Sequence, residues 1–216
     1  MPKVKIPRKS TSIDMTAMCD VAFLLLSFFI LATKQKPPEV LTVQTPSSVS
    51  AKAVPDKSII ITLTKDGRAF LMLGDETKKR EILENINTLR NLGLTPAELA
   101  KLERADFIGF PLNQLKGSLA LTTAIPAEKL PGIPIDTANN EMIDWMRSVT
   151  NTYKGGDQSK LEQMILVKGD NEALYPYFKN IKSAFKKADI YKFRIVTNGE
   201  TAPVGSELYN SSLQKK

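Results

Sequence analysis

Met15-Thr-Ala-Met-Cys-Asp-Val-Ala-Phe-Leu-Leu-Leu-Ser-Phe-Phe-Ile-Leu-Ala-Thr33 is an apolar run of 19 residues that contains one carboxylate, Asp20. No other stretch limits the fold so tightly. As a helix the run is about 28 Å long, close to the roughly 30 Å hydrocarbon core of a bilayer, so it reads as a single transmembrane helix over 15–33. A carboxylate among lipid-facing residues costs roughly 2.5 to 3.5 kcal/mol at the bilayer centre and somewhat less toward a face. Asp20 therefore implies a function, and the handling of protons or ions is the function expected.

A cleaved signal peptide also has a basic start and an apolar middle. Here the run is long enough to span, Leu31-Ala-Thr33-Lys-Gln lacks an A-x-A-like site, and a carboxylate would oppose the purpose of such a segment. Lipid attachment at Cys19 is disfavoured because the apolar run follows that residue. Lys3, Lys5, Arg8 and Lys9 precede the span, against Lys34 and Lys36 just after it. The positive-inside bias then puts residues 1–14 in the cytoplasm and everything after Thr33 on the far side of the inner membrane.

Residues three or four apart share a helix face. Ala17, Asp20, Leu24, Ser27 and Leu31 form one stripe, joining a small residue, the carboxylate and a hydroxyl, while Phe23, Leu26, Phe29 and Ile30 mostly point elsewhere. Small and polar side chains of this kind suit helix–helix contacts in lipid. The plainer reading makes Asp20 a helix cap, but Asp14 is better placed for that duty, with Thr11 and Ser12 beside it.

Residues 13–30, Ile-Asp-Met-Thr-Ala-Met-Cys-Asp-Val-Ala-Phe-Leu-Leu-Leu-Ser-Phe-Phe-Ile, resemble the membrane signature of the ExbD/TolR biopolymer-transport proteins. The resemblance is close over residues 1 to about 36. It implies that Asp20 is the intramembrane aspartate that takes up and releases protons as the proton-motive force drives a motor. It also implies a homodimer inside a pentamer of a polytopic ExbB/TolQ-like subunit, with energy passed to a TonB-like or TolA-like periplasmic protein. Ala17 stands where proline is common in the family, and Asp14 where asparagine is common.

Residues 34–56, with Pro37, Pro38, Pro46 and Pro55, read as an extended periplasmic linker. Within it, Leu41-Thr-Val-Gln-Thr-Pro46-Ser-Ser is similar to the family's V-x-L-P-x-x-S segment, with Thr45 in place of leucine. Val43, Pro46 and Ser48 then mark either an ordinary spacer or a gating strand that docks onto a folded domain.

The rest of the chain is expected to form a soluble domain of the α+β class. With 42% hydrophobic and 25% charged residues the chain can bury a core. Ser58–Thr64 and Ala69–Leu73 flank an Asp66-Gly67 hairpin turn. Ile82, Leu83, Ile86 and Leu89 share a helical face, as do Leu174, Phe178, Ile181, Phe185 and Ala188; 163–168 and 193–197 read as strands. Residues 57–92 and 161–200 thus compose a small two-layer α/β domain with helices on one face, followed by a tail over 201–216. Residues 93–160 read as a helical insertion, a reasonable place for a partner surface. It has a capping box at Thr95-Pro-Ala-Glu98, a short helix over 107–115, a longer one over 140–153, and Trp145 as a core or lid residue.

Enzymatic chemistry finds little support. With no histidine, Ser-His-Asp and Cys-His arrangements are excluded, and neither phosphate-binding glycine pattern occurs. The single cysteine precludes an internal disulfide, and no metal site or cofactor is expected, protons being the coupling ion. The net charge of +7 is scattered, lacking the clustered footprint that nucleic acid requires. Two classes remain: a proton-driven energy-transducing subunit, and a membrane-tethered scaffolding protein that grips cell wall or an envelope partner and uses Asp20 only for helix packing.

Overall fold

In the computed structural model, residues 15–33, 41–49, 54–55, 57–118, 129–155, 158–207 and 209 are described. The chain divides into two compact units, Met1–Pro38 and Glu39–Lys216. In the first, helix α1 covers Thr16–Ala32, one residue inside the expected run at each end. At 1.5 Å per residue its 17 residues are about 26 Å long. Among the described residues no helix is long and apolar enough to cross a membrane. Asp14, the expected cap, lies outside the described residues; Met15 occupies the N-cap position and makes no side-chain capping bond.

The second unit begins with a short strand, β1 (Ser47–Ser48), then the hairpin β2 (Ile59–Leu63) and β3 (Ala69–Leu73). Thr64 and Arg68 close the hairpin turn, with Gly67 at φ +80° beneath the ring of Tyr177. A Cβ at Gly67 would sit 2.6 Å from that ring, so both backbone conformation and space call for glycine. Helix α2 (Glu76–Arg90) is capped by Asp75, whose Oδ1 accepts from the Thr77 N–H at 3.2 Å, and stops at left-handed Asn91. Helix α3 (Pro96–Arg104) starts with the expected capping box. The Thr95 hydroxyl accepts from the Glu98 N–H at 3.3 Å, and the Glu98 carboxylate accepts from the Thr95 N–H at 2.8 Å.

From there the chain runs through a 3-10 turn (Leu112–Gln114) into helix α4 (Leu115–Ser118) and on to helix α5 (Met142–Thr152). Helix α6 (Gln158–Met164), strand β4 (Ile165–Gly169), helix α7 (Tyr175–Lys187) and strands β5 (Arg194–Ile195) and β6 (Asn198–Gly199) complete it. The main sheet has the order β3-β2-β4-β5; β2–β3 is antiparallel, while β2–β4 and β4–β5 are parallel. The fold is α+β.

One face of the sheet, formed by Ile59, Ile61, Leu63, Leu71, Ile165 and Val167, is buried in the main core with residues of α2, α5 and α7. Helix α5 contacts both α2 and α7 and lies in residues 93–160, the segment read as an insertion. Its Met142, Trp145, Met146 and Val149 have no exposure at all, so α5 belongs to the core. Trp145 is accordingly a core residue. The Ser148 hydroxyl donates to the Ile82 carbonyl at 2.6 Å, and Thr150 donates to the Ala188 carbonyl at 2.9 Å, fixing α5 to the elements on either side.

Several expected elements differ in detail. The short helix expected over 107–115 is extended in its first half, and Ile108 exchanges both backbone hydrogen bonds with Leu71 of β3, at 2.9 and 2.8 Å. Pro111 disfavours helix in the residue before it, and the outer edge of β3 supplies the partners instead. Ile133 donates to the Ala69 carbonyl on the same edge at 2.7 Å. Residues 163 and 164 end a helix rather than start a strand, and the strand expected over 193–197 is confined to β5. Leu89, in the last turn of α2, is 44% exposed, and Leu174, which precedes the first turn of α7, is 61% exposed. Both buried stripes are thus one residue shorter than the periodicity predicts, Leu89 falling in the last turn of α2 and Leu174 at the N-cap of α7.

Truncating Met146 to alanine should lower stability by about 2–5 kcal/mol, the usual cost of emptying a packed core site. Chemical denaturation followed by the fluorescence of Trp145, the single tryptophan, checks this. A loss below about 0.5 kcal/mol would refute the placement of α5 in the core.

Candidate functional site: the Asp20 helix and the strap after it

Helix α1 buries none of its side chains within its own chain. Phe23, Leu26, Phe28, Phe29 and Ile30 are each 58–67% exposed, and Leu31 is 86% exposed. A helix apolar around its whole circumference is stable only where something other than water covers it. Ala17, Asp20, Leu24, Ser27 and Leu31 recur at helical spacing and share one face of this helix. The Ser27 hydroxyl donates to the Leu24 carbonyl at 2.9 Å, and that of Thr33 to the Ile30 carbonyl at 2.9 Å. These hydroxyls thereby satisfy themselves within the helix, whereas the Asp20 carboxylate sits on a turn flanked by Ala17 and Leu24.

Val43, Pro46 and Ser48 belong to the other unit, Glu39–Lys216. Residues 41–49, from the segment read as linker, form an extended strap against their own domain. Leu41, Val43 and Thr45 turn inward in alternation with exposed Thr42 and Gln44, the period of a strand. The Gln44 carbonyl accepts from the Asn171 N–H at 2.7 Å, that of Pro46 from Asn198 at 2.9 Å, and that of Ser48 from Glu200 at 2.9 Å. In consequence β1 pairs in parallel with β6, Ser47 opposite Asn198 and Ser48 opposite Gly199. Leu41 and Val43 pack on Phe70, Phe107, Phe110 and Leu130 on the sheet face away from the helices.

Sequence reasoning missed the receiving side of this contact. Ile108 joins the main core, while Phe107 and Phe110 join the smaller cluster. Pro111 is the one local signal against a helix here, because it disfavours helical backbone at Phe110. Asn171 receives the strap through its backbone N–H, and Asn198 through its N–H and its side-chain amide, which donates to the Thr45 carbonyl at 3.3 Å; partners so far apart in sequence leave no local pattern.

The buried charges of the domain have structural duties. The Glu141 carboxylate accepts from the Leu112 N–H at 2.7 Å, and Asp144 accepts from the Arg90 Nε at 2.8 Å. Buried Lys79 donates to the Ala105 carbonyl, and desolvation lowers its pKa. Asp75 faces Thr77, Lys57 at 3.6 Å and the Tyr153 hydroxyl at 3.4 Å. Burial pushes its carboxyl up, but the Thr77 hydrogen bonds and the Lys57 charge more than offset this and hold it below the ordinary value.

Comparison with known proteins decides the family. The model of the family "Biopolymer transport protein ExbD/TolR" matches residues 7–200, nearly the whole chain. The chain belongs to the ExbD/TolR family. No curated protein and no solved structure matches it. The match runs from the lead before α1 to β6, so this ExbD/TolR protein carries the family pattern through its domain as well as its first helix. The family is a transport-related one, which points this chain to biopolymer transport.

Tyr153 supplies a pH test of the Asp75 cluster. Burial, then the neighbouring Asp75 charge, raises its hydroxyl from 10.0 to about 12. A raised pKa contributes stability that is complete below the unfolded value and is lost as pH climbs through the folded one. The stability difference between the wild type and Tyr153→Phe should therefore shrink between pH 10.0 and about 12. A difference that stays constant over that window in denaturation titrations would remove Tyr153 from the cluster.

Proposed function

We propose that this chain is the ExbD-like subunit of an inner-membrane motor driven by the proton-motive force, with Asp20 carrying the protons. The observation that carries the reading is a family match combined with a carboxylate on a helix whose apolar circumference is wholly uncovered. In this reading α1 is the single membrane anchor, its N-terminus cytoplasmic and its domain periplasmic. Seventeen residues lie at the short end of spanning length, where flanking lysines reach the interface and the bilayer thins slightly. A polytopic ExbB/TolQ-like subunit, expected as a pentamer, and a second copy of the chain cover the helix. The Ala17, Asp20, Leu24, Ser27 and Leu31 face lies against those neighbours, where small and polar groups pack best.

Energy sets what one proton can do. Each elementary charge crossing about 100 mV releases roughly 2.3 kcal/mol. That is enough to bias packed helices between two arrangements, one step per proton, and too little for large refolding. Asp20 lies near the cytoplasmic end of α1 in this orientation, so protonation and release can face different sides as the helix turns within its ring. The domain passes the motion to a TonB-like or TolA-like periplasmic protein for transport across the outer membrane.

Asp20→Asn keeps size and hydrogen bonding and abolishes titration. Energised transport should fall at least 100-fold while the complex with the polytopic subunit still assembles, as judged by uptake assays and co-purification. Survival of transport in an assembled Asn complex sinks proton carriage. Collapse of assembly itself moves the weight to the tethered-scaffold reading, in which Asp20 serves packing alone.

A further inference from the structure

Helix α7 turns toward solvent a face for which the function proposed above has no use. Tyr175, Lys179, Lys182 and Lys186 follow one another at spacings of four, three and four residues, which sets them in one stripe about 16.5 Å long. All of them are exposed, while Ile181, Ala184 and Phe185 on the opposite face are buried in the main core. From Tyr175 to Lys187 the helix carries lysines at 179, 182, 186 and 187 and no carboxylate. Among the described residues no lysine of the stripe forms an ion pair. The nearest acids along the chain are engaged elsewhere, Glu172 with Lys65 at 4.0 Å and Asp189 with the Tyr191 hydroxyl at 3.4 Å.

Helix α2 shows the usual alternative. There Lys78 meets Glu81 at 2.9 Å and Arg80 meets Glu84 at 3.0 Å, opposite charges three and four residues apart. At the same spacings α7 sets Lys179 against Lys182 and Lys182 against Lys186, like charges that weaken a helix. The helix dipole explains Lys186 and Lys187, since cations are favoured in the last turn. It does not explain Lys179 and Lys182, and the first turn, where the dipole favours an acid, has none. A face that weakens its own helix and neutralises nothing in its domain is complementary to an anionic surface outside it.

We propose that the stripe of Tyr175, Lys179, Lys182 and Lys186 docks the domain on anionic phospholipid headgroups of the membrane that holds α1, a step that rests on the anchor reading above. Two observations favour lipid over an acidic protein. Leu174 and Tyr175, at one end of the stripe, are 61% and 67% exposed, and aliphatic and aromatic groups beside lysines suit the boundary between headgroups and acyl chains. Reach is the other. Residues 34–40 separate α1 from the docked strap and span at most about 25 Å, so headgroups stay close to an anchored domain at high effective concentration. The strap also runs past the Tyr175 end of α7: the Asn171 N–H donates to the Gln44 carbonyl at 2.7 Å, and Pro46 and Tyr175 line one cleft of about 260 Å³. Each lysine brought to an anionic bilayer strengthens association about fivefold, so the three together contribute about 100-fold.

Lysine acetylation by a neutral reagent, read by mass spectrometry on the full chain in nanodiscs, tests the docking. Lys179, Lys182 and Lys186 should label at least about fivefold more slowly in phosphatidylglycerol discs than in phosphatidylcholine discs. Lys101 and Lys116, on α3 and α4, should label alike in both, and about 0.5 M salt should abolish the difference. In Lys179→Gln/Lys186→Gln, Lys182 remains as reporter and should lose most of its protection. Equal labelling of the stripe in the two discs overturns the proposal, and so does equal protection of Lys101 and Lys116, which would mark a general attraction of the basic chain. Protection by an added polyglutamate peptide in phosphatidylcholine discs, with none from phosphatidylglycerol, assigns the face to an acidic protein and overturns lipid docking. Failure of the chain to insert into discs sinks the anchor reading; the same lysines, labelled with phosphatidylglycerol vesicles added to the uninserted chain, then decide whether the face binds lipid.

Discussion

Strands β2 and β4 lie side by side in parallel, Ile59 opposite Ile165 and Leu63 opposite Gly169. Parallel neighbours cannot be joined by a tight turn; the chain must cross over the sheet between them. Everything from Thr64 to Met164 is therefore a single connection. Its first part folds back as β3, and its later part places α2 and α5 on one face. Because α5 lies between α2 and α7 in the contacts of the helical layer, the sheet's apolar face depends on a helix supplied late in that connection. A long crossover is thus a condition of the fold.

The same connection closes two exposures that parallel pairing leaves behind. Ile108 and Ile133 bond to the outer edge of β3, which would otherwise offer unpaired backbone groups to any passing strand. Phe107, Phe110 and Leu130 then cover Phe70 on the face away from the helices. One stretch of chain thereby supplies a core helix, an edge seal and a binding face. Helix α1, in the separate unit, buries none of its own side chains.

Much of this was legible from residues. The apolar run, the Asp66-Gly67 hairpin, the Thr95 capping box, α2 and α7 were all readable because each rests on local chemistry: hydropathy, left-handed glycine, a reciprocal cap, a 3.6-residue period. The stripe of Ala17, Asp20, Leu24, Ser27 and Leu31 could be placed on one face for the same reason. The status of residues 93–160 was not legible. Whether Trp145 and Met146 face a core or a partner depends on which strands pair far away in sequence, and periodicity cannot report that. Nor could the composition of 41–49, rich in threonine, serine and proline, disclose carbonyls aimed at Asn171 and Asn198.

The docked strap means that the limits of the sheet and of the folded body do not coincide. The main sheet begins at Ile59, yet the apolar surface it needs covered is completed at Leu41. A polypeptide cut just before Lys57 would retain every strand of that sheet and still present Phe70, Phe110 and Leu130 to water. Cut before Glu39 instead, it keeps its own cover and sheds only the helix that water cannot accommodate. The eighteen residues 39–56 thus separate a fragment that exposes this apolar surface from one that keeps it covered.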